Sequence, residues 1–433
     1  MALFSKTSRA PSMNFRFQAL RNLTPDGWLL FATRFIRLFA YGLLAVILFL
    51  YLSQLGYSDS HIGLLLSFTL IGDTAISLWL TTRADRLGRR KMLLVGALLM
   101  VMAGILFALT HNYALLIIAA TVGVISPSGN EVGPFLSIEQ AALAHVISDQ
   151  DRTATFAWYT LAGSMAAALG SLAGGGFAQF LQHAGISPLA SYRAIVILYA
   201  LLGILLLILF LLLSRGVEVI YPSQAQAQTS GASPNVLLGL HRSRGVVFRL
   251  SGLFALDAFG GGFVIQSIAA YWFHKRFGAD PATLGAIFFG ANLLAAFSAL
   301  AAASLARRFG LINTMVFTHR PSNVLLILVP LMPSLQLAII LLFLRFSISQ
   351  MDVPTRQSYT MAVVSPDERS AAAGVTNVVR TTGAAIAPLF AGRLLGNPAL
   401  MNLPFFLAGG LKIIYDLLLY RSFIRIKPSE EQD

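Results

Sequence analysis

A helix needs about 20 apolar residues to cross the roughly 30 Å hydrocarbon core of a bilayer, and this chain supplies such blocks one after another along its length. The blocks are continuous, not spaced as the single apolar stripe of a soluble helix. Twelve can be drawn, at 28–52, 62–82, 92–110, 113–147, 153–182, 193–213, 247–273, 283–305, 312–331, 335–364, 369–395 and 404–424. Only 11% of the 433 residues are charged, against about 25% in an ordinary soluble domain. A β-barrel would show short alternating segments instead. The expectation is an all-α integral membrane protein with 12 transmembrane helices. Spans 4 and 10 are too long for straight helices, and span 4 contains "SPSGNEVGP" with Pro127, Gly129, Gly133 and Pro134. Such a break is tolerated at membrane depth only where protein or a water-filled cavity surrounds the freed backbone groups.

Lysine and arginine give the orientation. Assigning the N-terminus and every second loop to one side places 20 cations there, among them Arg83, Arg86, Arg89, Arg90 and Lys91. The other side receives four, Arg193, Lys275, Arg276 and Arg393. Both termini are therefore expected in the cytoplasm, with the chain multi-pass in the cytoplasmic (inner) membrane. The basic opening residues lead straight into a full-length apolar block, which reads as a retained span. The net charge of +13 follows from this topology and implies no nucleic-acid partner.

The chain divides and repeats. A Ser-, Gln-, Gly- and Pro-rich segment, 214–246, reads as a cytoplasmic linker between an N-terminal six-helix bundle, 1–213, and a C-terminal one, 247–433. "SDQDRTATFAWYT" from Ser148 answers "SPDERSAAAGVTN" from Ser365 at an offset of 217, and "ADRLG" ending at Gly88 answers "ARRFG" ending at Gly310 at an offset of 222. Two pseudo-symmetric six-helix bundles joined by a linker are the signature of a transporter with its substrate site between the halves, near the midplane.

The loop after span 2, "RADRLGRRK", resembles the cytoplasmic signature of the major facilitator superfamily through Asp85, Arg86, Gly88, Arg89, Arg90 and Lys91; Thr81 stands where the signature begins with glycine. "SQMDVPTRQSYTMAVVSPDERSAAAGVTN" is similar to a broad branch of the same superfamily that names no substrate. The resemblance implies alternating access, with Asp85, Arg86, Gly88, Arg89 and Arg90 as a conformational latch between the bundles. It also implies that spans 1, 4, 7 and 10 line the central cavity. The likeness to proton-coupled drug exporters is partial, since span 4 has no arginine and the glycine-rich run of span 5, "GSMAAALGSLAGGG", has no proline.

Those four spans carry the charges that most need explaining, because a charge inside the bilayer is costly unless paired or hydrated. They are Arg34 and Arg37 in span 1, Glu131 and Glu139 in span 4, Asp257 in span 7, and Arg345, Asp352 and Arg356 in span 10. The polarity inverts between the halves, so Arg37 is expected to pair with Glu131 or Glu139, and Asp257 with Arg345. The pairs are permanent bridges, or exchange partners or protons during transport, or offer arginines to an anionic substrate. Glu131 and then Asp257 are the first candidates for a proton carrier. Asp73 and Asn292 read as cavity or interhelical groups, "THRPSN" as a kink in span 9, and Lys412 and Asp416 as a same-helix pair. Trp158, Tyr159, Tyr271 and Trp272 read as interfacial aromatics.

No P-loop, metal-ligand spacing or nucleophile elbow is present, and there is no cysteine. No cofactor, no metal and no enzymatic reaction are expected. The expected partners are a small-molecule substrate, protons or another coupling ion, and membrane lipids, around a monomer. The function so read is secondary active transport of a small organic solute, with proton-coupled efflux first. An organic-anion transporter or a lipid-handling membrane protein stand as alternatives.

Overall fold

The computed structural model describes residues 20–21, 23–131, 133–148, 152–218, 240–365 and 368–424, with the side chains of Asp85, Arg86, Thr153, Arg215, Ala303 and Ser370 outside the described residues. The first pass, α1 (Pro25–Gln54), starts where the Thr24 hydroxyl accepts the Gly27 N–H and Pro25 fills a position needing no donor. Its 30 residues give about 45 Å of helix, the depth of a bilayer with its headgroups. The rest of the N-terminal half is α2 (Asp59–Leu87), α3 (Arg89–Leu109), α4 (Tyr113–Val122), α5 (Phe135–Val146), α6 (Arg152–His183) and α7 (Pro188–Leu212). The C-terminal half is α8 (Arg244–Gly262), α9 (Gln266–Phe277), α10 (Pro281–Phe309), α11 (Leu311–Leu328), α12 (Leu335–Ser349), α13 (Asp352–Ala362), α14 (Arg369–Leu395) and α15 (Leu403–Phe423).

Three of the passes are broken. Span 4 is α4 and α5 around a non-helical 123–131 and 133–134, and span 10 is α12 and α13, as their lengths predicted. Span 7 is also broken, between α8 and α9, just after Gly260, Gly261 and Gly262. The span 4 and span 7 breaks meet: the Ser267 N–H and hydroxyl both donate to the Pro127 carbonyl, at 3.0 and 2.7 Å. Freed backbone groups thus find partners in each other, as membrane depth requires. The expected kink in span 9 does not open: α11 runs through Pro321 without interruption. Among the described residues, nine of the passes are long and apolar enough to cross a membrane on composition alone. The interrupted α4–α5 pass, α11 and α14 complete the twelve.

With an even number of passes, the start of α1 and the end of α15 lie on one face, called here the terminal face. The halves are drawn together toward the opposite, far face by α2 against α14, α6 against α10 and α1 against α9. Four glycines permit the close approach. A Cβ on Gly63 would stand 2.4 Å from the Pro388 carbonyl oxygen, and one on Gly392 2.3 Å from that of Asp59. A Cβ on Gly175 would stand 2.1 Å from the Pro281 oxygen, and one on Gly285 2.8 Å from that of Ser171. Gly285 follows Gly63 by 222 positions and Gly392 follows Gly175 by 217, the same two offsets as the repeated loops. One duplicated contact is therefore used twice about the pseudo-two-fold axis. Lys275 on α9 also bonds Asp59 of α2 at 2.8 Å, and the Tyr271 hydroxyl donates to the same carboxylate at 2.9 Å.

Candidate functional site

In the N-terminal half the predicted pairing forms and goes further. Arg37 donates from both terminal nitrogens to the two oxygens of Glu139, each at 2.7 Å, and from Nε to Glu131 at 2.9 Å. Arg34 holds the second oxygen of Glu131 at 2.9 Å. The Thr33 hydroxyl, at 2.9 Å, and the Tyr159 hydroxyl donate to Glu139 as well. Arg37 and Glu139 are fully buried. A bidentate arginine–carboxylate pair with its remaining lone pairs satisfied is the geometry that makes a buried ion pair tolerable. Tyr159 therefore belongs to this network and not to an interfacial belt. Tyr271 and Trp272 are likewise buried in the interior, Trp272 with its indole N–H on Asn402 at 3.0 Å.

The C-terminal half repeats the design with reversed polarity, but not with the expected partner. Asp257 meets Arg356 at 3.3 Å and Lys412 at 2.6 Å, with the His319 imidazole at 3.6 Å. The expected pair of Asp257 with Arg345 does not form. The reason lies in the repeat: Arg356 stands 217 positions after Glu139 and so takes its place, whereas Arg345 sits higher on α12. Arg356 also bonds Asp352 one turn back, at 3.1 Å. The expected Lys412–Asp416 pair is replaced too. Asp416 accepts from His319 Nδ1 at 2.8 Å and Asn323 at 3.0 Å, while Lys412 turns to Asp257.

A cavity of about 350 Å³ lies between the halves. Glu131, Asp257, Lys412, Asn292 and Gln266 line it, and so do Asp73, Arg345 and Arg380. Arg345 and Arg380 make no ion pair or hydrogen bond among the described residues, and the Nε of each is buried without a partner. Arg345 does lie over the Phe346 ring at 4.8 Å. A second cavity of about 480 Å³, within the C-terminal half, is lined by Arg356, Gln357, Asn377 and again Arg380. Arg380 was not among the predicted site residues because span 11 is not one of the four presumed to line the cavity. Its repeat position in the N-terminal half is Gly163, 217 earlier. There the space is filled by Arg34 reaching from α1, whose Nε lies 2.6 Å from where a Cβ would stand.

The predicted latch residues are placed only in part. Gly88 joins α2 to α3 at φ +105°, a conformation suited to glycine, and Gly310 repeats it at +81°. The N–H groups of Arg89 and Arg90, which open α3, donate to the carboxylate of Glu218 at 2.7 and 3.1 Å. An acid on those unpaired amides also complements the helix dipole. The Arg89 side chain donates to the carbonyls of Ala141 and Val217, and that of Arg90 to Phe210 and Leu211. These bonds run to the N-terminal bundle and to the first residues of the linker. The side chains of Asp85 and Arg86 lie outside the described residues. The repeated Arg152 and Arg369 both fold back on the preceding helix, onto the carbonyls of Ala144 and Met361, which also stand 217 apart.

Residues 30–388 match the Major Facilitator Superfamily. The chain is 32% identical to an uncharacterized membrane protein of Saccharomyces cerevisiae, YJR124C, over 96% of its own length and 97% of that protein's. A 99-residue stretch, 23% of the chain and 26% of the relative, is 29% identical to the quinolone resistance protein NorA of Staphylococcus aureus. The fold is similar to that of the nucleoside transporter NupG, with a TM-score of 0.72 at 14% identity, covering 92% of this chain and all of that one. This multi-pass membrane protein of twelve spans in two pseudo-symmetric bundles belongs to the major facilitator superfamily and is a secondary transporter, not an enzyme.

Proposed function

We propose that the chain carries a small organic anion through the cavity between its halves, by alternating access coupled to protons. The observation that supports this reading is the pair of arginines, Arg345 and Arg380, that face the cavity with no ionic partner among the described residues. Arginine does not give up its proton in proteins. Two such cations left unneutralised at membrane depth call for a mobile counter-charge, and a substrate carboxylate, sulfonate or phosphate supplies one. Gln266, Asn292 and Asn130 add neutral hydrogen-bonding groups, and Phe288, Phe346 and Phe405 add apolar walls. A site of this kind favours an anion with an apolar or aromatic body. Arg37 and Glu139 serve in this scheme as a fixed brace, to which Arg34 and Glu131 are joined. Asp257, Asp352 and Arg356 form the charged floor beneath the site. The excess of arginine and lysine on the terminal face supports a cytoplasmic placement of both ends.

The test is ligand stabilisation of the purified protein. A panel of carboxylates, sulfonates and phosphate esters, with neutral and cationic compounds beside it, is screened for a rise in melting temperature, since a ligand that binds only the folded state must stabilise it. Anions alone should score. Arg345→Ala and Arg380→Ala should each weaken the best anion about 10- to 150-fold, the range for a lost charge-assisted hydrogen bond. Stabilisation by neutral or cationic compounds in place of anions would overturn the reading. A second reading is proton-coupled outward movement of an organic compound; the short match to a quinolone resistance protein is in keeping with an organic cargo and bears on neither direction nor coupling. Proteoliposomes with the pH gradient imposed in either sense distinguish the direction.

A further inference from the structure

Asp73 lies on α2 at the cavity wall, and the mechanism so far does not use it. Its Oδ1 accepts the backbone N–H of Gly133, in the break of span 4, and the hydroxyl of Ser77 at 3.3 Å. Its backbone is pinned: a Cβ on the neighbouring Gly72 would stand 1.8 Å from the Thr121 carbonyl oxygen of α4. The segment it grips has no freedom of sequence there, since Gly133 has φ +82° and a Cβ on it would meet Val124 at 2.7 Å. Two positions before Gly133 stands Glu131, whose oxygens are taken by Arg34 and Arg37. From α1, Arg34 and Arg37 therefore face Glu131 and leave Asp73 without a cation. From α5, Glu139 is bound to Arg37. Across the cavity stand Arg345 of α12, Arg380 of α14, and Asp257 with Lys412. No ion pair to Asp73 occurs among the described residues.

We infer that Asp73 is a proton-binding site that clamps the break in span 4 when ionised and loosens it when protonated. The chemistry is one step: a hydronium ion of the cavity gives a proton to the carboxylate, one O–H bond breaking in the donor as one forms on Asp73, and a neutral acid and a water molecule result. An ionised acceptor binds an amide N–H roughly twice as strongly as a neutral one. Protonation therefore weakens the hold of α2 on residue 133, and with it the placement of Glu131 against the α1 arginines. A carboxylate inside the membrane beside a second carboxylate is most cheaply held by binding a proton. The inference rests on the proton-coupled part of the proposed function, but its test uses protons alone and no transported solute.

The purified full-length protein is titrated from alkaline pH down to about pH 6, where ordinary carboxyls remain ionised, and followed by infrared difference spectroscopy of the carboxyl C=O stretch. Hydrogen exchange of the 123–134 backbone is followed in parallel, corrected for intrinsic pH dependence. The wild type should gain one protonated-acid band and show at least a fivefold rise in exchange of this segment over the same pH range. Asp73→Asn should lack the band and exchange fast at every pH, while Glu131→Gln keeps the band. Ser77→Ala, which leaves the carboxyl in place, should raise the alkaline exchange rate and retain the band, and serves if Asp73→Asn does not fold. A band that persists in Asp73→Asn, or exchange in the wild type that does not follow the titration, overturns the inference. Failure of the anion screen with these results intact would fault only the substrate reading.

Discussion

The two charge clusters occupy equivalent places in the duplicated halves and do different work. Around Arg37 two cations and two carboxylates pair with one another, leaving only the Nε of Arg34 without a partner, and Thr33 and Tyr159 take what remains of Glu139. Around Asp257 the cations are in excess: Arg356 and Lys412 converge on it with the His319 imidazole beside them, Arg356 also holds Asp352, and Arg345 and Arg380 face the cavity with no ionic partner among the described residues. The polarity is inverted between Glu139 and Arg356, 217 positions apart, yet inversion alone does not explain the difference. Arg380 does. Where the C-terminal half has a full arginine, the N-terminal half has Gly163, and the vacated space lets Arg34 close its network. A closed network braces a bundle, whereas an open one with surplus charge can exchange partners with a ligand.

The largest effect should come from opening the closed network. Glu139→Gln leaves Arg37 fully buried without its bidentate partner, and breaking a buried pair in this way costs about 3–5 kcal/mol. A large fall in melting temperature and in monodisperse yield is expected. The double variant Arg37→Met with Glu139→Met should recover most of the loss, because apolar side chains of similar volume often replace such a pair at little cost. A single variant as stable as the wild type would erase the distinction between the clusters.

Asp257→Asn should cost less stability, about 1–3 kcal/mol, because the cations it releases border a hydrated cavity. Transport should suffer more than stability, falling on the order of 100-fold, about 2.7 kcal/mol in transition-state terms. Initial rates in proteoliposomes, compared with the melting curve of the same preparation, measure both. A variant that melts as early as Glu139→Gln would place Asp257 among the bracing residues instead.

Smaller again, and nearly neutral in stability, is Arg345→Ala. Removing an unpaired cation from the wall deletes no ionic partner, so the melting temperature should stay within about 0.5 kcal/mol of the wild type or rise. Arg37→Ala, its opposite, should be as damaging as Glu139→Gln. Equal losses from the two arginine variants would mean that Arg345 has a partner the cavity geometry does not reveal.

Much of this was legible in the sequence, for definite reasons. The apolar blocks show the passes because only helices and closed barrels satisfy the backbone in lipid, and the loop repeats at 217 and 222 show the duplication. The pairing of Arg37 with Glu131 and Glu139 was legible because few other charges lie at that depth. The C-terminal pairing was not, because that half offers more cations than Asp257 can take, and only three-dimensional register selects Arg356 and Lys412. A finer use of the repeat could have found it, since the 217 offset already equates Glu139 with Arg356. The break in span 7 was hidden by a hydrophobic length that one straight helix could also explain. Glu218 and Glu368 act across long sequence separations, and no local pattern announces them.

Those two acids offer the smallest and most local comparison. Glu218 covers the start of α3, and Glu368 covers the start of α8 by accepting the N–H groups of His241, Arg242 and Ser243. Burial alone would raise the Glu368 carboxyl, but the bonds from Ser243 and the three amides outweigh it and hold the group down at about 2, from an ordinary 4.5. A carboxyl depressed by folding stabilises the folded state fully above its unfolded value, and that stabilisation is lost as the pH falls through the folded one. The contribution of Glu368 is therefore complete above about pH 4.5 and fades between 4.5 and 2. Glu368→Gln should lower the melting temperature modestly near neutrality, and the gap from the wild type should narrow steadily as the pH falls below 4.5. A gap that keeps its width down to pH 3 would mean that the amide cap works through shape and hydrogen-bond count, not through the charge of the carboxylate.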